Sequence, residues 1–286
     1  MQGRFGSLLL PLDGSAESAK SAPCALWLAE QLGATLHVLH VGSEPLRTEQ
    51  ALEKLGIPLA GRPEIVVHQT NGDVVEEIVN AVDKHGIGLI IMSARGQSYS
   101  GENVQKRRLG GTARHILERC DIPVILVPLH YRQVLPWQSM LAAASGDAAA
   151  SQALEVAAQL AALLKVKVNV MHADAGSTTR YADMVHHEYP QRIEEMVERG
   201  LAGCTHEECR QVEQALIRYG DPAKILLKQV ALDNYSVLAL GWHGSLDEGR
   251  ALVLKHLLEQ AGCVLLIIKG VSEAGSTLLI RERLNG

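Results

Sequence analysis

Aromatic side chains are scarce in this chain. One Phe, three Trp and six Tyr make up 3% of 286 residues. With 47% hydrophobic residues overall, that scarcity leaves Ala, Leu, Val and Ile to build the cores, a composition suited to α/β packing. Excess positive charge is also lacking. The formal charge is -5, which argues against a nucleic-acid binder, since that normally carries a basic face. No apolar run approaches the roughly eighteen residues of a membrane span. The N-terminal Leu8-Leu9-Leu10 is too short for a signal-peptide core. Five Cys, an odd number without a regular framework, fit reduced thiols. A cytoplasmic protein without membrane or nucleic-acid partners is therefore expected. Nothing resembles a nucleophile elbow, and no Ser-His-Asp assignment emerges, so no catalytic residues are expected.

What is present centres on Leu89 to Thr112. Leu89-Ile90-Ile91-Met92 reads as a buried parallel strand. It breaks into Ser93-Ala94-Arg95-Gly96, and later Gly110-Gly111-Thr112 opens a helical run to Arg119. Glycines beyond a strand end, then Gly-Thr at a helix start, suit a phosphate. The backbone can approach closely, and the helix start aims free N–H groups and partial positive charge at an anion. It is not a P-loop, because Gly111 stands where a Lys would precede the Ser/Thr. The G-x-G-x-x-G dinucleotide pattern is absent too.

The chain alternates strand and helix from the start. Strands are expected over Ser7 to Leu12, Thr35 to Val41, Glu64 to Gln69, Ile87 to Met92 and Pro123 to Val127. Helices are expected from Ser15 to about Leu32 with a kink or late start at Pro23, over Glu44 to Leu55, from Asp73 to about His85, and from Thr112 to near Cys120. This alternation predicts a doubly wound parallel sheet. His130 to Gln138 has no period and reads as a linker. Then the pattern restarts. Adding 132 to Ser7, Gly14, Ala29 and His40 reaches Ser139, Gly146, Ala161 and His172. Adding 148 to Gly72, Asp73, Ile90 and Gly96 reaches Gly220, Asp221, Leu238 and Gly244. Two copies of one domain are expected, over 1–132 and 139–286.

These stretches resemble the universal stress protein family, in tandem. The resemblance rests on Leu10-Pro-Leu-Asp13-Gly-Ser15, Leu39-His40-Val41, Ile90-Ile-Met-Ser-Ala-Arg-Gly96, and Gly111-Thr-Ala-Arg-His-Ile-Leu through Ile122-Pro-Val-Ile-Leu-Val. The family's phosphate loop reads G-x-x-G, nine residues, G-(S/T). Gly96, Gly111 and Thr112 match it, Ser93 replaces its first glycine, and the spacer holds fourteen residues. The resemblance implies two Rossmann-like domains, adenine nucleotide alpha hydrolase-like, each a five-stranded parallel sheet with helices on both faces. It implies ATP, with Mg²⁺, at the carboxyl ends of the strands, where open α/β sheets bind ligands generally. Carried over, Asp13 would accept a hydrogen bond from the ribose or adenine side, and Val41 would read the adenine edge through its backbone. Met92 would pack on the base or sugar. Gly96, Gly111 and Thr112 would cradle the phosphates. Arg95, or Lys106, Arg107 and Arg108 in the spacer, would add positive charge.

The second copy reads as degenerate. Gly241 and Gly244 keep the G-x-x-G, but Ser145 stands where Asp13 stands, and Ala251-Leu252 fall where Gly111-Thr112 should lie. Asp147 is a candidate replacement acid. The function implied is regulatory: a stress-response protein binding ATP in its N-terminal half, which orders the loop Gly96 to Gly111 and shifts the population that meets an unknown protein partner. A nucleotide-free scaffold and a slow ATPase are the alternatives. The last strand of each half is expected to pair inside the chain as a pseudo-dimer that dimerises again as a homodimer. Cys204-Thr-His206-Glu-Glu-Cys209 lacks zinc spacing and reads as a solvated loop. No metal site is expected. His40 and His172 read as a shared structural histidine. Ser276 to Ile280 is a candidate edge strand.

Overall fold

A computed structural model describes residues 3–42, 64–96, 109–128, 130–131, 135–174, 188–247 and 249–270. The expected helix over 44–55, the spacer basic residues and the strand over 276–280 lie outside them.

The first half begins with β1 (Ser7–Pro11), whose Leu8, Leu9 and Leu10 are fully buried. Leu8 and Leu10 join the core on one face of the sheet, and Leu9 joins the core on the other, as strand alternation requires. The expected interruption at Pro23 appears as two helices, α1 (Ala16–Ala19) and α2 (Ala22–Leu32), with Pro23 in the first turn of the second, where its missing N–H costs nothing. Gly33 closes α2 in the left-handed conformation, at φ 60°. There follow β2 (Thr35–Val41), β3 (Ile65–Thr70), α3 (Val74–His85), β4 (Leu89–Ser93), α4 (Gly111–Arg119) and β5 (Val124–Val127).

The second half repeats the order with β6 (Ser139–Ala144), α5 (Ala148–Leu164), β7 (Lys167–Asp174), α6 (Glu188–Leu201), a short α7 (His206–Cys209), β8 (Val212–Tyr219), α8 (Pro222–Asp233), β9 (Val237–Trp242), α9 (Leu252–Gln260) and β10 (Val264–Lys269). Without a proline, α5 runs unbroken where the first copy has α1 and α2.

The ten strands form one sheet in the order β3-β2-β1-β4-β5-β10-β9-β6-β7-β8. Every neighbouring pair is parallel except β5 and β10, which run antiparallel, with Leu126 opposite Leu265 and Ile125 opposite Leu266. The expected internal pseudo-dimer is therefore present. Pairing the two last strands removes the edge each half would otherwise expose, and β3 and β8 become the edges of the joint sheet. The cores also run across the seam, since each of the two apolar layers contains residues of both halves. The region read as a linker contributes to this core. Trp137 is buried against Trp27, with ring centroids 5.1 Å apart.

Candidate functional site

In the first half, three strand ends and one helix start converge. Asp13 follows β1, and its Oδ1 accepts the Ser15 N–H at 2.9 Å. The same turn caps α1, with Ser15 Oγ accepting the Ser18 N–H. Val41 ends β2, and Met92 lies near the end of β4, buried. The chain then turns through Ala94, Arg95 and Gly96. A Cβ added at Gly96 would come within 2.5 Å of Asp13 Oδ2, so a larger residue there would push this carboxylate aside. Gly110 N–H donates to the Ala94 carbonyl at 2.8 Å, which ties the start of α4 to the same loop. The N-cap of α4 is Gly110, which has no side chain to offer, and among the described residues nothing lies within 4 Å of a Cβ built at Gly111. The first-turn N–H groups of such a helix start carry partial positive charge.

All seven predicted positions, Asp13, Val41, Met92, Arg95, Gly96, Gly111 and Thr112, line one cleft of about 640 Å³, mouth included. Sequence reasoning missed Val74 and Ile78, which also line it. They belong to the first turns of α3, and a helix following β3 necessarily starts at the carboxyl end of the sheet, which was the available signal. Ser93, which stands where the family pattern has glycine, makes a buried hydrogen bond: its Oγ donates to the Ser18 carbonyl at 3.3 Å, beside the break between α1 and α2.

The second half holds a larger cleft of about 1,460 Å³ at the equivalent place. Its chemistry differs. Ser145 Oγ donates to Asp147 Oδ2 at 2.6 Å, and Asp147 Oδ1 accepts the Ala150 N–H at 2.8 Å as the cap of α5. Burial raises the pKa of Asp147, but these bonds outweigh it and the net shift is downward. Asp147 is thus committed to a helix cap. Gly241, which lines this cleft, has a packing role. A Cβ there would collide with the Ala149 backbone, so the residue is needed for the unbroken α5 to pack on β9. The register of the last strands corrects the alignment by one residue. Ile90 pairs with Val124 and Leu238 with Leu265, which sets Ala251, Leu252 and Val253 against Gly110, Gly111 and Thr112. Ala251 caps α9 at φ 50°, and the exposed Leu252 occupies the place of the open glycine.

His40 Nδ1 donates to the Leu12 carbonyl at 2.9 Å, and His172 Nδ1 to the Ala144 carbonyl at 2.8 Å. The shared histidine pins the exit of the first strand in each copy. All five cysteines are free thiols. Burial pushes Cys24 and Cys263 up to about 12, and Thr205 with Glu208 forms a capping box for the short α7 beside Cys204.

The universal stress protein family model matches this chain twice, over residues 46–128 and 136–269. The chain belongs to the universal stress protein family. It is a tandem member, and its fold agrees with a universal stress protein from Archaeoglobus fulgidus DSM 4304. That structure superimposes with a TM-score of 0.62 at 18% identity, covering 96% of this chain and 100% of that one. The universal stress protein YxiE of Bacillus subtilis (strain 168) is 25% identical over 150 residues, which is 43% of this chain and 99% of the relative. A universal stress protein solved in complex with cAMP covers 47% of this chain and 98% of its own, at 20% identity and a TM-score of 0.37. No helix among the described residues is long and apolar enough to cross a membrane.

Proposed function

We propose that the cleft of the first half binds an adenine nucleotide, ATP with Mg²⁺, and that the protein acts as a regulator rather than an enzyme. The observation that carries this reading is the meeting of Asp13, Gly96 and the glycine start of α4 in one cleft. An acceptor at one wall suits the sugar hydroxyls or the base. A helix start with open space before Gly111 suits phosphate oxygens. Val41, Met92 and Ile78 supply apolar walls for the base. Arg95 stands on the same wall as the phosphate-facing glycines. Mg²⁺ would arrive with the phosphates, held by their oxygens and water, a common arrangement for this ion.

The second half serves as the structural partner in this reading. Its cleft lacks the acid at the place of Asp13 and carries Leu252 at the place of Gly111. A homodimer of tandem chains uses another surface than β5 and β10, because those pair within the chain.

Thermal unfolding with and without Mg-ATP tests the reading. Free nucleotide at about 100 times its dissociation constant adds about 2.7 kcal/mol to a protein that binds it only when folded, and the transition of the wild type should rise. Gly96→Ala displaces the Asp13 carboxylate and should abolish the rise. An equal rise in the variant would put the nucleotide elsewhere, and no rise in the wild type would favour a scaffold without nucleotide.

A further inference from the structure

Three histidines from three elements meet on the α3 face of the first half's sheet. His37 lies early in β2, His68 in β3, and His85 is the last residue of α3. The strand register places His68 beside Leu39, so His37 and His68 share a face as diagonal neighbours, and α3 brings His85 down onto them. His37 Nδ1 lies 2.9 Å from His68 Nε2. One ring nitrogen from each of the three residues falls within 4.8 Å of the others. The rings stack with centroids 4.2 to 5.1 Å apart. His37 is buried, while His68 and His85 are half-buried, so the cluster opens to solvent on one side.

We propose that His37, His68 and His85 form a binding site for a divalent transition ion of the zinc type, with the fourth position open to solvent. Zinc takes imidazole nitrogen at 2.0–2.1 Å, which sets tetrahedral ligand atoms roughly 3.3 Å apart. The His37–His68 separation of 2.9 Å lies just under that value, and no separation in the trio exceeds 4.8 Å. Two ligands on neighbouring strands and one at a helix end form a rigid frame. Burial and mutual repulsion hold His37 below its ordinary pKa and His68 at about 4, and the neutral ring is the form that ligates. Three imidazoles without carboxylates match zinc, nickel or copper better than magnesium or calcium.

The repeat provides an internal comparison. The equivalent positions of the second copy are Asn169, Leu216 and Asp233, by the register of β7 with β8 and by the alignment of α8 with α3. There Asn169 Nδ2 donates to the Tyr235 hydroxyl at 2.6 Å. The same backbone is thus built without a single histidine, so the fold itself does not call for the trio. Its ends also matter. The first turns of α3 line the nucleotide cleft through Val74 and Ile78, and its last residue reaches this site, on the opposite end of the sheet.

The test is a zinc titration of chelator-stripped full-length protein against a chromophoric competitor. One zinc per chain is expected, bound below about 1 µM. Cobalt as a stand-in should give the visible absorption of a tetrahedral nitrogen and oxygen site. His68→Leu and His37→Asn each install the residue the second copy already carries. Each should weaken binding by about 100-fold or more while circular dichroism stays unchanged. If one variant fails to fold, the other decides, and the ¹⁵N resonances of three imidazoles in the wild type should shift on zinc addition. Equal binding by wild type and variants overturns the proposal. So does a sulfur-to-cobalt charge-transfer band, which would place the ion at Cys204 or Cys209, and so does absence of binding at 100 µM free zinc.

Discussion

Ser93 and Gly241 hold the same place in the two copies, and each suits only its own surroundings. Gly241 faces the backbone of an unbroken helix at Ala149, whereas Ser93 lies beside the break between α1 and α2 and bonds to Ser18. Gly241→Ser should therefore cost about 1–3 kcal/mol, the usual range for forcing extra atoms into a packed site. Ser93→Gly should cost about 1 kcal/mol from the lost hydrogen bond. Urea unfolding of both variants measures the difference, and equal costs would contradict the explanation. The sequence displayed Ser93 as a departure from the family's glycine. Its cause was hidden, because the partner carbonyl lies 75 residues away. Of the seven cleft residues, Gly96, Gly111 and Thr112 were legible as a glycine loop and a Gly-Thr helix start, whereas Asp13, Val41, Met92 and Arg95 followed from the family resemblance. The histidine trio was not, because its members come from three elements with no common spacing.

At the level of elements, caps and breakers carried most of the readable information. Asp73 accepts from the N–H groups of Val75 and Glu76, both at 3.0 Å, and Gly86 ends the same helix in the left-handed conformation. Asp73→Ala should destabilise the protein by about 1 kcal/mol, read as a lower urea midpoint with an unchanged slope. A larger loss would mean that Asp73 does more than cap α3. Pro23 marked the break between α1 and α2. Strand limits were less legible. The fourth strand starts at Leu89 rather than Ile87, because Gly88 still passes against the Arg4 backbone, which its missing side chain permits. The alignment of Ala251-Leu252 with Gly111-Thr112 was off by one residue. The apolar pattern of that helix reads equally well in either register, and only strand pairing across the sheet decides.

At the level of the whole molecule, the antiparallel pairing of β5 with β10 makes two repeats one body. Leu126 and Leu265 face each other fully buried, and the seam is reinforced by Lys269 Nζ donating to the Glu118 carbonyl at 2.8 Å. Because the cores are continuous, heat or urea should unfold the chain in one cooperative transition. Leu265→Lys should cost about 3 kcal/mol or more, since it buries an unpaired charge between two strands. Two separate transitions in the wild type would contradict this coupling. The tandem repeat and parallel halves were legible from residue identities at fixed offsets, and the seam followed from the resemblance. The unequal fates of the two clefts were legible only in outline. The sequence showed Ser145 opposite Asp13, while the engagement of Asp147 as a cap and the exposure of Leu252 needed the fold.

The most direct test of the central claim, one working nucleotide site in two repeated halves, is a calorimetric titration of Mg-ATP into nucleotide-stripped protein. The account predicts one site per chain, abolished by Gly111→Val. A Cβ at Gly111 meets none of the described atoms within 4 Å, so the variant tests the space before α4. Two sites per chain, or one site untouched by Gly111→Val, would contradict the account.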